Sequence, residues 1–244
     1  MKSKDILLDT AEVLESTLDR IDRLTVLTEK EKARVKEKIR EAVENFKKLA
    51  EEAEKDNVEL AEFFYKKAKE FKLMSTDKAI EKEGKKNYLK MADKILLYSR
   101  SAEYDFKPEK LAELKKAYRK YLFGMTAYFI LSGFYLNQFL AITALILAVP
   151  IILSMLSLQR RGHLGLLLAY SAMPIPIVTG MSAISYGLKA LASPEKIAEI
   201  MQKTHWSAGT VKAYLAFLVL LAAVELYLIG SAIVGLYKHR HAFL

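Results

Sequence analysis

One acidic side chain, Glu225, lies inside a long apolar stretch near the end of the chain and could do chemistry there. It is the only charged residue between Tyr214 and Tyr237, and residues 121–244 contain no aspartate. A stretch of that length and composition is typical of a helix that crosses a membrane. An ionisable group at that depth is costly unless it faces protein or a water-filled cavity. We therefore expect Glu225 to be protonated or to hold a bound cation.

Prolines interrupt two of the other apolar stretches, with Pro150 in the middle of one and Pro174 and Pro176 in the middle of another. Proline has no backbone N–H, so each leaves a carbonyl one turn earlier without its helical donor. These carbonyls belong to Ile146, Tyr170 and Ala172. Interrupted helices of transporters bind ions through such groups. The sequence thus predicts a candidate intramembrane ion or proton site formed by Glu225, Pro150, Pro174, Pro176 and Tyr170.

A second interpretation of the same residues is purely structural. A protonated Glu225 would donate a hydrogen bond to a neighbouring helix and hold the helices together, and the prolines would only kink their helices. The side chains that could accept this bond are Tyr128, Tyr170, Ser171 and Thr179. The sequence does not choose between the two interpretations.

No other pattern in the sequence indicates catalysis. The chain has no cysteine, which excludes thiolate metal sites and thiol nucleophiles. Ser193 and Lys196 have the S-x-x-K spacing of some serine hydrolases, but the companion S-D-N and K-T-G segments are missing. There is no glycine-rich phosphate-binding loop of the G-x-x-x-x-G-K-[ST] type. We predict no catalytic residue, no metal site, no cofactor and no enzymatic activity.

The residues named above belong to four apolar stretches, each of which we predict to span the membrane. They are residues 121–135, 139–158, 164–188 and 214–237. Basic residues lie before the first stretch, between the second and third (Arg160, Arg161), and after the fourth (Lys238, Arg240). In a four-span topology these three clusters share one side, which the positive-inside rule identifies as the cytoplasm. We expect a multi-pass protein of the cell membrane with both termini in the cytoplasm.

The opposite side of the membrane receives a short helix near residues 193–204. Ser193, Pro194 and Glu195 have the types expected of an N-cap, a first helical residue and a first-turn acid. Trp206, the only tryptophan, follows at a depth suited to the aromatic belt of the membrane interface. We predict that this helix lies along the outer surface and that Arg160, Arg161, Trp206, Lys238 and Arg240 anchor the protein at the two interfaces.

The N-terminal part of the chain differs sharply in composition. Of 38 basic and 29 acidic residues, only eight and three lie in residues 121–244, so residues 1–120 hold 30 and 26. Because the two signs are interleaved, this surface does not indicate nucleic-acid binding. Surfaces rich in Glu and Lys are typical of thermophiles.

Apolar residues in this part recur at steps of three and four and form four helical stripes. They begin at Leu7, Val35, Ala61 and Tyr88. Each stripe predicts an amphipathic helix, and together they predict a helical bundle with coiled-coil-like packing. The stripes could form the bundle's own core or a seam shared with another chain.

The complete prediction is an all-α polytopic membrane protein with an N-terminal cytoplasmic helical bundle and four transmembrane helices. Residues 1–107 form the bundle, residues 108–244 form the membrane domain, and one unbroken helix covers residues 109–123. We expect a non-enzymatic interaction or assembly module that binds the lipid bilayer and, through its bundle, a second copy of the chain or a cytoplasmic protein. The alternative is a small transporter or channel subunit with a midplane cation or proton site at Glu225.

Overall fold

The computed structural model describes residues 1–134 and 138–244. Within these residues the regular secondary structure is helical and there is no strand, as predicted. It divides into two compact units, Met1–Ala112 and Glu113–Phe243. The first unit contains α1 (Lys2–Asp22), α2 (Glu29–Glu52), α3 (Val58–Met74), α4 (Asp77–Glu83), α5 (Lys85–Ser101) and α6 (Glu103–Phe106). The remaining helices are α7 (Pro108–Phe134), α8 (Gln138–Gln159), α9 (His163–Ala172), α10 (Pro174–Ala192), α11 (Pro194–Thr204) and α12 (Ala208–Lys238).

Local signals in the sequence define several helix starts in the first unit. Thr28 and Glu31 form a complete capping box at the start of α2, with each side chain bonded to the other residue's backbone N–H. The side chain of Asn57 caps α3, and that of Thr76 caps α4. Because these bonds join residues three apart, they need no tertiary partner.

The fourth predicted stripe, which begins at Tyr88, lies on α5, and the short helix α4 is separated from α5 at Gly84. This residue has φ +90°, a left-handed conformation that glycine adopts without a Cβ clash. The break gives the short helix α4 and the longer helix α5. Helix α5 carries the predicted apolar stripe, and Ile80 of α4 and Tyr88 of α5 are buried on either side of the glycine.

The apolar stripes of the first unit are buried in the core of that unit. All four contribute fully buried side chains, including Leu14, Ile39, Phe71 and Tyr88. Ion pairs between helices surround this core, with Lys36 on Asp22 at 2.7 Å, Lys47 on Glu15 at 2.8 Å and Arg100 on Glu41 at 2.6 Å. The core of this unit is therefore complete within one chain.

Three helical segments among the described residues are long and apolar enough to cross a membrane. They are Ile142–Gln159, His163–Ala192 and Ala208–Lys238. The predicted first span falls on α7, which is one uninterrupted helix from Pro108 to Phe134, so the prediction of a single helix over residues 109–123 is confirmed. The predicted turn at Leu136 and Asn137 lies outside the described residues.

The third predicted span is divided at Met173. Helix α9 ends at Ala172 and α10 begins at Pro174, which occupies the first helical position, where its missing N–H costs nothing. Pro150, in contrast, lies inside the continuous helix α8. The predicted short helix near residues 193–204 is confirmed as α11, whose N-cap Ser193 accepts a bond from the backbone N–H of Lys196.

Candidate functional site

Glu225 lies on the face of α12 that packs against other helices. The buried residues of this helix recur at alternating steps of four and three. They are Val211, Leu215, Leu218, Ala222, Glu225, Ile229, Ala232 and Leu236. Glu225 occupies one position of this regular series, and its side chain is 0% exposed. The helical periodicity alone therefore carries the carboxyl group into the interior of the second unit.

Helix α10 meets this face through small residues. Gly180 lies opposite Glu225, and a Cβ atom built on it would stand 3.0 Å from Glu225 Oε2 and 3.0 Å from the side chain of Leu226. Further along, a Cβ on Gly187 would stand 2.5 Å from the side chain of Val219. Because neither glycine has a side chain, the backbone of α10 can approach α12 closely, as in small-residue helix contacts within membranes.

Helix α7 also packs against α12 near Glu225. A Cβ on Gly124 would stand 2.7 Å from the Ile229 side chain, one turn of α12 beyond Glu225. One turn further along α7, the hydroxyl of Tyr128 is buried and lies close enough to Glu225 to feel its charge. Ser132 follows on the same face and is also buried. Glu225 is thus enclosed by α7, α10 and α12.

The polar atoms of this region lack hydrogen bonds of good geometry. Over residues 1–134 and 138–244, neither carboxyl oxygen of Glu225 has a partner, and nor do the hydroxyls of Tyr128 and Ser132, although these two hydroxyls lie close to each other. A buried carboxylate without a partner costs several kcal/mol, so the neutral acid is the form that fits this packing. The region can therefore hold a proton on Glu225.

A metal site requires several side chains that can act as ligands and lie close together. Among the residues that the structure describes, no group of three or more His, Asp or Glu side chains could hold a metal ion. The Tyr128 hydroxyl lies near Glu225, and the Ser132 hydroxyl lies near that of Tyr128. The geometry thus provides one carboxyl and two hydroxyls in a closely packed surrounding.

The prolines predicted as part of this site are only partly brought together with Glu225. Pro176 is buried on α10 one turn before Gly180 and shares its face. Pro174 is exposed at the start of the same helix, and Pro150 is half-buried in α8. The third predicted span is therefore interrupted at Met173, as the sequence predicted. Of the three prolines, however, only Pro176 lies on the face of α10 that packs against α12.

Tyr170 lies elsewhere. Its hydroxyl is buried and unpartnered within the described part of the chain, and the charged or polar groups that act on it are Arg240 and Tyr237. Tyr237 is twelve residues beyond Glu225 on α12, about 18 Å along the helix axis. The structure thus places Tyr170 near Arg240 and Tyr237, and no contact among the described residues joins it to Glu225.

The basic residues predicted as interface anchors make specific contacts at one end of the second unit. Arg161 donates from Nε to the carbonyl oxygen of Ala242 at 3.0 Å. Lys238 pairs with Glu113, at the start of this unit, at 3.0 Å. The Arg240 guanidinium lies 4.5 Å from the ring centre of Tyr237, and Arg160 is exposed. These contacts place the α8–α9 turn, the start of the unit and its C-terminus at the same end.

Aromatic residues gather at the other end of the second unit. Trp206 packs edge-on against Tyr214 with ring centres 5.3 Å apart, and the Tyr214 hydroxyl donates to the carbonyl of Phe134. The ring of Phe134 in turn packs against that of Phe217, with ring centres 6.0 Å apart. The amphipathic rings of Trp206 and Tyr214 suit a membrane interface.

Sequence reasoning missed Gly180, whose backbone lies against the carboxyl group of Glu225. A signal for it exists, because Gly180, Ala183, Gly187 and Ala190 recur at steps of three, four and three and form a small-residue face on α10. Ser132 carries no such signal, since its importance depends on which face of α7 turns towards α12.

Comparison with known proteins adds no relative. No family model, no curated protein and no solved structure matches the chain. The function is therefore inferred from the geometry of the chain itself.

Proposed function

We propose that the chain is a four-span integral membrane protein with both termini in the cytoplasm, whose N-terminal helical domain acts as a non-enzymatic interaction and assembly module. Three of the proposed spans are the long apolar segments in α8, in α9 with α10, and in α12. The fourth is the C-terminal part of α7, which buries Tyr121, Tyr128 and Leu131. Four spans give an even number of crossings, so both termini lie on one side.

The proposed orientation is supported by the two ends of the second unit. Arg160, Arg161, Lys238 and Arg240 lie at the end that also holds Glu113, whereas Trp206 and Tyr214 mark the other end. Positive charge accumulates on the cytoplasmic side of membrane proteins. The end with the arginines is therefore proposed to be cytoplasmic.

The observation that carries the anchoring role is the close approach of the helices around Glu225. Glycines at 124, 180, 187 and 235 bring α7, α10 and α12 so close that an added Cβ would collide at 2.5–3.0 Å. A conduit needs a polar cavity, whereas a membrane anchor needs only a dry, packed interior. This packing favours an anchor that carries a folded domain, and the core of that domain is complete in itself.

Topology and transport test this proposal together. Single cysteines in place of Lys55, Arg160 and Arg240, which are exposed, should react with an impermeant thiol reagent only after the cytoplasmic side is opened. A cysteine in place of the exposed Gln202 should react in intact cells. Purified protein in liposomes should show no proton or cation flux above empty liposomes. Labelling of position 160 from outside would contradict the topology.

The assembly role is tested by crosslinking in membranes. A lysine-reactive reagent applied to membranes that contain the full chain should join lysines of residues 1–107 to a second copy or to one recurrent protein. The internal control is the set of crosslinks formed by Lys196 and Lys203, which lie outside the module. These two lysines should not be joined to the same partner. A chain that is monomeric, forms no crosslink through residues 1–107 and conducts protons would contradict the assembly role.

The second candidate function is a small transporter or channel subunit with its proton or cation site at Glu225. It is favoured by one observation, the burial of both carboxyl oxygens without a hydrogen-bond partner in the described residues. Buried polar groups left without partners are rare, and within membranes they mark ion and proton pathways. Flux in liposomes that disappears in Glu225→Gln would support this function.

A further inference from the structure

The side of α10 that faces away from α12 carries an open groove of about 470 Å³. It lies towards the C-terminal end of the helix and is completed by the first turn of α11. Its lining residues are Met181, Ser182, Ser185, Tyr186, Lys189 and Lys196. Since the opposite side of α10, with Ala183, Gly187 and Ala190, is buried, the groove opens to whatever surrounds the second unit.

The groove is positively charged. Neither Lys189 nor Lys196 forms an ion pair with any residue that the structure describes, and the Lys196 ammonium lies 5.7 Å from the ring centre of Tyr186. Of the two acids on α11, Glu199 lies close enough to Lys196 for the two charges to interact, without forming an ion pair with it. Glu199 is paired with Lys203 at 2.7 Å, and Glu195 does not line the groove. Two ammonium groups and two serine hydroxyls therefore offer donors to an anion.

The same side of α10 becomes apolar away from the groove. Ile175, Val178, Ser182, Ser185 and Lys189 follow one another at steps of three and four, so they share one face of the helix. Ile175 and Val178 are 36% and 63% exposed. From Val178 to Lys189 the helix rises about 16 Å, close to the ~15 Å hydrocarbon thickness of one leaflet. The face is thus apolar at one end and cationic at the other.

We propose that this face is a binding site for an anionic phospholipid. The phosphate group lies between Lys189 and Lys196, the Ser182 and Ser185 hydroxyls donate to its ester and glycerol oxygens, and one acyl chain follows Val178 and Ile175. This inference rests on the membrane location proposed above. In the four-span topology the lipid belongs to the outer leaflet. Hydroxyl and ammonium groups on a lipid-facing helix would otherwise face hydrocarbon at a cost.

Lipid binding to the full chain tests the inference. The purified protein is titrated in detergent with phosphatidylglycerol or with phosphatidylcholine of identical acyl chains, and bound lipid is counted by native mass spectrometry. We expect one phosphatidylglycerol per chain with at least tenfold preference over phosphatidylcholine. The double variant K189Q/K196Q should lose this preference. The matched control K115Q/K212Q removes the same charge at two exposed lysines outside the groove and should keep the preference.

Three results would overturn the inference. The first is equal binding of the two lipids by the wild-type chain, and the second is an equal loss of preference in the control variant. The third is displacement of the lipid by millimolar glycerol phosphate, which would show a free-phosphate site without an acyl-chain track. Failure of the chain to float with liposomes would overturn the membrane location itself. A chain that inserts but does not select lipids overturns the inference alone.

Discussion

The Oε2 atom of Glu225 lies 3.0 Å from the position that a Cβ atom on Gly180 would occupy. Two helices therefore meet at a point where one contributes a carboxyl group and the other only backbone. The neighbouring Leu226 side chain is equally close to the same position, so there is no free space into which an added methyl group could go.

This contact makes Gly180→Ala the most direct probe of the packing. The new methyl group must displace the carboxyl or the leucine, which should lower the free energy of unfolding by about 1–3 kcal/mol. Gly230→Ala is the control, because a Cβ there meets no atom within 4 Å. Unfolding in mixed micelles, followed by circular dichroism, measures both. Equal effects of the two variants would contradict the close approach at Gly180.

Replacing Glu225 itself separates packing from transport. Because both carboxyl oxygens are buried without a partner in the described residues, Glu225→Met should raise the free energy of unfolding by about 1–3 kcal/mol. Glu225→Gln keeps a neutral polar group and should remain near the wild-type stability. Neither variant should change ion flux in liposomes if the chain is an anchor. Destabilisation by Met, together with lost flux, would support the transporter instead.

The hydroxyls of Tyr121 and Ser154 form a buried hydrogen bond of 2.5 Å between α7 and α8. Ser154 donates its only proton to the carbonyl of Ile151, so Tyr121 must be the donor to Ser154. Tyr121→Phe should therefore lower the free energy of unfolding by about 1–2 kcal/mol. A double-mutant cycle with Ser154→Ala should give a coupling of about 1 kcal/mol. Tyr227→Phe, at a ring that is 67% exposed, serves as the control and should have little effect.

Glu31 predicts how the stability of the first unit depends on pH. The hydrogen bond from Lys85, followed by those within the capping box to Thr28, lowers the pKa of Glu31 from 4.5 to about 2. A carboxyl with a lowered pKa stabilises the folded state above its unfolded pKa, and this contribution is lost as the pH falls through the folded pKa. Glu31→Gln should therefore lower the melting temperature at pH 7, and the difference should vanish as the pH falls from 4.5 towards 2.

The control for this effect is a neighbouring acid on the same first turn. The Glu29 side chain is 89% exposed and pairs with Lys32 at 2.8 Å. Exposed pairs of this kind contribute little to stability. Glu29→Gln should thus change the melting temperature less than Glu31→Gln at pH 7. A difference between Glu31→Gln and wild type that is as large at pH 2 as at pH 7 would show that the effect is not electrostatic.

The sequence by itself determined the features of this protein that depend on neighbours three or four residues away. The capping box at Thr28, the cap at Ser193 and the buried stripes that begin at Leu7 and Val35 all follow from local hydrogen bonds and helical periodicity. The burial of Glu225 belongs to the same class, because it continues the series of apolar positions on α12. These features need no knowledge of which helix lies opposite.

Only the tertiary structure decided which residues meet across the helices. It placed Gly180 and Tyr128 beside Glu225, set Tyr170 near Arg240 instead, and buried the stripes of the first unit inside one chain. The physical reason is that periodicity defines the apolar face of a helix but not the partner of that face. Helix rotation and depth depend on side-chain volumes contributed by residues far apart in the sequence. The absence of a Cβ at Gly180 acquires its meaning only when α12 is packed against it.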